Sequence, residues 1–456
     1  MVADEADELP APTAKEAGKS APVEKPAVKK PPTPKPGAKK PPASDQPASK
    51  TPPAAAKLPP GFRQIHGQHL RLITDLGPSP EIDALPRAFD LAVPEWCRLL
   101  AVEPQKAAEW HLTGYLMKSR ERFEQAGLVS SKLPPFKSGY STGDELWLYD
   151  QTSDYYRRHL LLHEGTHCFI NDFFGGSGPP WYAEGLAELY GTHHLEDGKL
   201  TLGYMPKSRA DAPGWGRIKL VRDSCSEGRT LSLPAVMAYD SRAHLENEPY
   251  GWCWAAAAFL DGHPRYRERF AKLRSIVKRG DFVQQTVDLY KKDWGQLNEE
   301  WQVYIANLKY GYDFERMQID FRPGKPLPQA GRDVEVAADR GWQSSGVVLE
   351  AGKTYRLTAT GRYQVASDPK PWPCEPGGVT LRYYYGQPLG ILLAAVRNDK
   401  ARAGEISSLT KPIVIGRGGT LTPEVTGTLY LRINDSAGKL SDNSGNLTVV
   451  VNAEGE

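Results

Sequence analysis

Long hydrophobic runs are missing from this 456-residue chain. No stretch approaches the roughly 18–20 unbroken apolar residues of a spanning helix, so no membrane span is expected. A dominant charge is missing too. Lysine and arginine number 57 against 55 aspartates and glutamates, and a net charge of +2 provides no long-range field to gather nucleic acid. Cysteine is sparse: Cys97, Cys168, Cys225, Cys253 and Cys374 include no Cys-x-x-Cys pair of the metal-binding or redox kind. The first residues, Met1 to Glu8, are acidic and lack the basic-then-apolar pattern of a secretory signal.

What is present points to a folded protein of mixed class. A hydrophobic fraction of 40% and a charged fraction of 25% suit a globular chain, and the length exceeds one compact core. Residues 1–60 are rich in Pro, Ala and Lys, in runs such as Lys29-Lys30-Pro31-Pro32. Such a segment buries too little apolar surface to offset its ordering entropy and is expected to be a disordered tether. Helical periodicity with aromatics dominates residues 61–324, where Glu145 to Tyr149 reads as a short strand. After Pro323, Gly324 and Pro326 the pattern turns to short alternating segments, which predicts an all-β sandwich over 325–456. The expected class is therefore α+β.

Chemistry concentrates around residue 163, in His159-Leu-Leu-Leu-His163-Glu164-Gly165-Thr166-His167. Residues four apart share a helix face, so His163 and His167 can offer two imidazoles to one ion. Glu164 projects about 100° further around the helix, beside a metal-activated water rather than on the metal. A Gly-rich loop separates this helix from Pro179-Pro180-Trp181-Tyr182-Ala183-Glu184-Gly185-Leu186-Ala187-Glu188, whose prolines can open a second helix. A catalytic zinc usually takes three protein ligands. Glu184 supplies the third, with His193 and His194 as alternatives.

Together the two segments resemble the gluzincin metallopeptidases, in which HExxH is followed by Glu in a Trp-x-x-Glu-Gly-x-Ala context. The resemblance implies a zincin-like catalytic domain with a small sheet, Zn2+ on His163, His167 and Glu184, and Glu164 as general base. It also implies that Glu188 accepts a hydrogen bond from the ligand His163. Metzincins are excluded, because Ile170 and Phe173 stand where that family requires Gly and His. Gluzincins add a Tyr or His that stabilises the oxyanion; Tyr250 is the candidate here, with His244 and His263 as competitors. By analogy with thermolysin-like folds, the strand Glu145 to Tyr149 is either a sheet edge that pairs with extended substrate or a simple sheet strand under the helix. The interval from His167 to Glu184 is shorter than in the aminopeptidase branch, and no Gly-Ala-Met-Glu-Asn sequence is present, which argues against an aminopeptidase.

In the C-terminal domain, Asp435, Asp442 and Asn443 cluster in a loop between two strands, an oxygen-rich set suited to calcium. From Trp342 and Gly346, through Ala351-Gly352 and Gly361, to this loop and the last strand, the domain is similar to the calcium-dependent galactophilic lectin of bacteria. The resemblance implies Ca2+ on the side chains of Asp435, Asp442 and Asn443 and on the carbonyls of Val365 and Lys439. Trp372, Cys374 and Glu375 occupy the region where that lectin carries a sugar-binding His, so galactose specificity does not carry over. The expectation is a secreted, periplasmic or cell-surface zinc metallopeptidase acting on peptide or protein, with a lectin-like module and a candidate carbohydrate ligand. The competing reading is an inactive peptidase scaffold that binds glycan or a surface.

Overall fold

The computed structural model describes residues 58–240, 246–368, 370–402 and 404–454. The tether expected over residues 1–60 lies outside them up to residue 57. The described chain is α+β, with a helical part built on one sheet followed by a β-rich part.

The first sheet contains β1 (Arg63–His66), β2 (Leu70–Thr74), β3 (Leu112–Met117), β4 (Gly139–Thr142) and β5 (Glu145–Tyr149), in the order β1-β2-β3-β5-β4. Strands β2, β3 and β5 run parallel, while β1 and β4 are antiparallel edges. The inner strands are apolar on both faces, as a sheet covered on both sides requires. Leu70, Leu72, Leu116, Leu146 and Leu148 join the main core, and Ile73, Tyr115, Met117 and Trp147 form a separate apolar layer behind them. This arrangement decides between the two readings of Glu145–Tyr149, against the substrate-pairing edge: the strand is interior, and the edge beside it is Gly139–Thr142. The cause is a two-residue hairpin loop, Gly143-Asp144, with Gly143 at φ +56°, which folds β4 back along the outside of β5.

Among the helices of this part, those that frame the site are α1 (Leu85–Leu100), α2 (Asp154–Phe174), α3 (Pro180–Gly191), α4 (Arg217–Ser226) and α5 (Glu248–Gly262). The Ser153 hydroxyl accepts from the Tyr156 N–H to cap α2, and Gly175 in the left-handed region ends it. Gly165 is there for space: a Cβ would stand 2.6 Å from the Phe89 ring of α1. That close packing offsets the roughly 1 kcal/mol a glycine costs inside a helix. Pro180 occupies the first turn of α3, which packs against α5 so closely that a Cβ on Gly185 would meet the Cys253 carbonyl at 2.9 Å. Helix α5 is buried continuously from Gly251 to Leu260, as expected of a helix enclosed on all sides.

Helix α6 (Trp294–Ala306) leads into the β-rich part. Besides two short two-stranded sheets, its strands are β6 (Lys325–Pro326), β7 (Arg332–Ala337), β8 (Gln343–Leu349), β9 (Tyr355–Thr360), β10 (Leu392–Arg397), β11 (Ile413–Val414), β12 (Gly418–Leu421), β13 (Gly427–Ile433) and β14 (Asn446–Ala453). They form two main sheets, β11-β10-β13-β8-β6 and β12-β9-β14-β7, which enclose one core. All seven residues of β13 are buried. Leu429, Leu431 and Ile433 face the sandwich core, whereas Tyr430, like Leu393 and Ala395 of β10, belongs to the core of the helical part. The two parts are thus continuous through a sheet that is apolar on both faces.

Candidate metal centre

Helices α2 and α3 face each other and bring three donor atoms together. The two Nε2 atoms of His163 and His167 lie 3.2 Å apart, and Glu184 Oε2 lies 3.3 Å from the first and 3.5 Å from the second. Four ligands held tetrahedrally at about 2.0–2.1 Å are separated by about 1.63 times that length, or ~3.3–3.4 Å, so this triangle has the size of one face of a zinc coordination tetrahedron. Glu184 Oε2 is buried and has no hydrogen-bond partner. An oxygen so placed is costly unless something positive meets it. Burial opposes ionisation of Glu184, yet His167 and His163 outweigh it and hold the carboxyl well below the usual range.

Behind the triangle, Glu188 is 1% exposed and receives Arg217 of α4 through two bonds, Nε to Oε2 at 2.7 Å and Nη2 to Oε1 at 2.8 Å. Each carboxylate oxygen also meets an imidazole nitrogen: His163 Nδ1 at 3.3 Å from Oε1 and His159 Nε2 at 3.2 Å from Oε2. The His163 contact lies at the expected place, but it is an off-line electrostatic contact, not an aligned hydrogen bond. His159, His163 and Glu188 also come close enough to suggest a second ion. Arg217 already supplies the positive charge there, so of these two clusters the first triangle is the better place for an ion. Burial opposes protonation of His163, yet Glu184 and Glu188 raise it well above its ordinary value, so the proton held there supplies positive charge that an ion would replace.

Glu164 points toward β4. The Ser141 hydroxyl donates to its Oε2 at 2.7 Å, and a Cβ on Gly139 would stand 2.5 Å from its Oε1. The Tyr149 N–H donates to the Ser138 carbonyl at 2.9 Å, which sets the phase of the ladder. By antiparallel alternation, Tyr140 and Thr142 then bond to β5, while the backbone groups of Gly139 and Ser141 face away from it. The edge that adjoins Glu164 therefore offers backbone donors and acceptors.

Tyr250, at the start of α5, has its ring centroid 6.1 Å from that of His163, with the Arg217 guanidinium 5.8 Å from the Tyr250 centroid. Burial, and then Glu184, Glu188 and Glu164, push its phenol above the ordinary value, so it keeps its proton. Its competitors fare differently. His263 follows the far end of α5, stacked on Tyr266 and 3.2 Å from Glu300. His244 lies outside the described residues. Of the alternatives to Glu184 as third ligand, His193 is committed elsewhere, with Nδ1 donating to the Gly191 carbonyl at 2.8 Å and Nε2 accepting from Arg158 at 3.3 Å. His194 is paired with the exposed Glu196.

The residues missed in the sequence are Arg217, Ser141 and Gly139. Arg217 is 29 positions beyond Glu188 and carries no motif. Ser141 and Gly139 resemble ordinary turn residues.

In the β-rich part, the loop between β13 and β14 gathers Asp435, Asp442 and Asn443. Asn443 Nδ2 donates to Asp435 Oδ2 at 2.8 Å and to the Ala338 carbonyl at 3.1 Å, leaving Asn443 Oδ1 buried without a partner. Asp442 Oδ1 is also unpartnered. Burial pushes the Asp435 carboxyl up to about 6, although Asn443 and the Ser436 N–H oppose it. The Lys439 carbonyl accepts from the Asp442 N–H at 3.3 Å within the loop. Val365 adjoins Gln364, whose side chain reaches the Asp442 carbonyl at 3.1 Å. Buried oxygens without donors are the feature a hard cation satisfies.

No helix among the described residues is long and apolar enough to cross a membrane. No family model matches the chain. No curated protein matches it either. Among solved structures, 27% of this chain is similar to 95% of a chain described as the EclA N-terminal domain, a PllA-like lectin, at 22% identity and a TM-score of 0.21.

Proposed function

We propose that the chain is a zinc-dependent hydrolase acting on peptide bonds, with His163, His167 and Glu184 holding the ion. The observation that carries this reading is the donor triangle with sides of 3.2, 3.3 and 3.5 Å, one corner of which is an orphaned carboxylate oxygen. Zinc at that point would polarise a carbonyl and lower the pKa of a water molecule. Glu164, oriented by the Ser141 hydroxyl, is the base that takes the proton from the attacking water and delivers it to the leaving amine. Tyr250 retains its proton and can donate to the oxyanion as the carbonyl becomes tetrahedral.

The edge strand supports a peptide as substrate. An extended segment laid along β4 would bond to the backbone of Gly139 and Ser141, bringing its carbonyl beside Glu164. The C-terminal loop is read as a Ca2+ site on Asp435, Asp442 and Asn443, with the carbonyls of Val365 and Lys439. A glycan ligand for this domain and a secreted, periplasmic or surface location belong to the same reading, since calcium is plentiful outside cells.

Zinc quantification on the wild type and His163→Ala, together with casein cleavage by the wild type and Glu164→Gln, tests the proposal. About one zinc per chain, lost in His163→Ala, with cleavage lost but zinc kept in Glu164→Gln, is the expected result. Zinc without cleavage of any member of a broad peptide library would instead favour an inactive scaffold. A glycan array with and without calcium tests the sugar.

A further inference from the structure

The loop over residues 434–445 has two sides. One carries the oxygens of Asp435, Asp442 and Asn443. The other is pressed into the helical part: Ala437 is fully buried and Leu440 is 2% exposed, and both belong to the core of the helices rather than to that of the sandwich. The Ala437 carbonyl accepts from the Asp313 N–H at 3.0 Å. Gly438 lies so close to residues 310 and 311 that a Cβ would stand 2.3 Å from the Tyr310 carbonyl. At the head of the loop, Arg432, 5% exposed, lies over the Trp342 ring and reaches Asn307 Oδ1 at 3.4 Å. Candidate ligands and docking residues alternate within a few positions of one another.

We propose that a divalent cation held by Asp435, Asp442 and Asn443 fastens the sandwich to the helical part, so that cation binding and docking of the two parts are coupled. This rests on the calcium reading of the loop. The observation pointing to a ligand is Asn443, 6% exposed, whose Oδ1 has no partner beside the buried Asp435 carboxylate. A cation there draws three side chains from both ends of the loop toward one point. Ala437, Gly438 and Leu440 lie between those ends, so the same ordering fixes the surface that meets residues 310–313. The coupling must then be reciprocal: whatever loosens the docking weakens the cation.

Docking can be loosened far from the loop. Glu299 of α6 accepts from Arg397 at 2.7 Å and from the Ser407 hydroxyl at 2.6 Å, and Gln302 bonds to the Ser407 N–H at 2.8 Å and the Glu405 carbonyl at 2.9 Å. None of these atoms belongs to the loop.

The test uses the full chain, stripped with chelator and titrated with calcium chloride by calorimetry, with amide exchange followed over residues 310–313 and 434–443. The expected result is binding abolished in Asp435→Asn, greater protection of both segments on adding calcium, and affinity reduced about fivefold in the double variant Glu299→Ala, Gln302→Ala. Calcium binding that protects only 434–443, with unchanged affinity in a folded double variant, overturns the coupling and leaves the calcium site standing. Absence of calcium binding overturns both. Should the double variant fail to fold, the exchange pattern of the wild type decides alone.

Discussion

Glu188 and Asp435 are both buried carboxylates, 1% and 5% exposed, one in each half of the molecule, and their environments drive them in opposite directions. Burial disfavours the charge of each. At Glu188 the Arg217 guanidinium, followed by His159 and His163, overcomes that penalty and holds the carboxyl well below its ordinary value. At Asp435 the main opposing groups are the Asn443 amide and the Ser436 N–H, Arg382 contributes less than either, Asp442 adds a like charge, and burial prevails, leaving the carboxyl at about 6. A buried anion bonded directly to an arginine is part of a built support, whereas one whose hydrogen bonds come only from neutral donors has an unmet need for charge. By this measure Glu188 braces a neighbouring metal site, and Asp435 is itself a place for a cation.

The strongest way to break the comparison is to remove the arginine. Arg217→Met leaves Glu188 buried with only the His159 and His163 imidazoles to offset its charge, and breaking a buried pair from one side costs about 3–5 kcal/mol. Thermal unfolding of the metal-free protein should show a fall of that order. Zinc affinity, measured against a competing chelator, should drop about 10–100-fold as the support of His163 loosens. An unchanged zinc affinity would reduce Arg217 to a purely structural ion pair.

A second change separates the metal from the base. In Gly139→Ala the new methyl group would overlap Glu164 Oε1, which stands 2.5 Å from its position. Because the obstructed atom is the end of a flexible side chain, the protein should fold and bind zinc as before while Glu164 is displaced. A catalytic group misplaced by about 1 Å costs on the order of 100-fold in rate. Casein cleavage reduced to that extent at full zinc occupancy is the expected outcome, and wild-type cleavage would remove β4 from the mechanism.

How much of this was legible in the sequence follows from the same contrast. The spacing of His163 and His167 on one helix face is local geometry, and the second helix announced Glu184 through its prolines and its Trp-x-x-Glu-Gly context. Fold class was legible for the same reason, because periodicity is local. Arg217 was not, since the pairing with Glu188 joins helices that the sequence separates by 29 positions. Glu145–Tyr149 was legible as a strand, whereas the edge beside it, Gly-Tyr-Ser-Thr at 139–142, is marked only by the small residues that let Glu164 approach. The docking of the two parts was hidden as well. Thr428–Ile433 belongs to the alternating segments that predict a sandwich, but alternation does not show that Tyr430 and Arg432 are buried against the helices.

The smallest expected effect concerns Asp435 and gives the comparison a sign. In chelated protein its folded carboxyl titrates at about 6, above the ordinary 3.8. Between those values the folded state binds more protons than the unfolded state, so stability falls as pH rises through the window. Glu188 contributes the reverse slope: its stabilisation is present above the ordinary carboxylate range and is lost as pH falls toward its depressed value. Asp435→Asn should therefore be more stable than wild type at pH 7, on the order of 2 kcal/mol, and nearly equal to it at pH 4. Denaturant titration at the two pH values in chelator measures this difference. Calcium should raise the stability of the wild type at pH 7 and leave the variant unchanged, because a cation that neutralises Asp435 removes the penalty that the substitution removes. A variant less stable than wild type at pH 7 in chelator would mean that the Asn443 contact already satisfies the carboxylate, and the contrast with Glu188 would vanish.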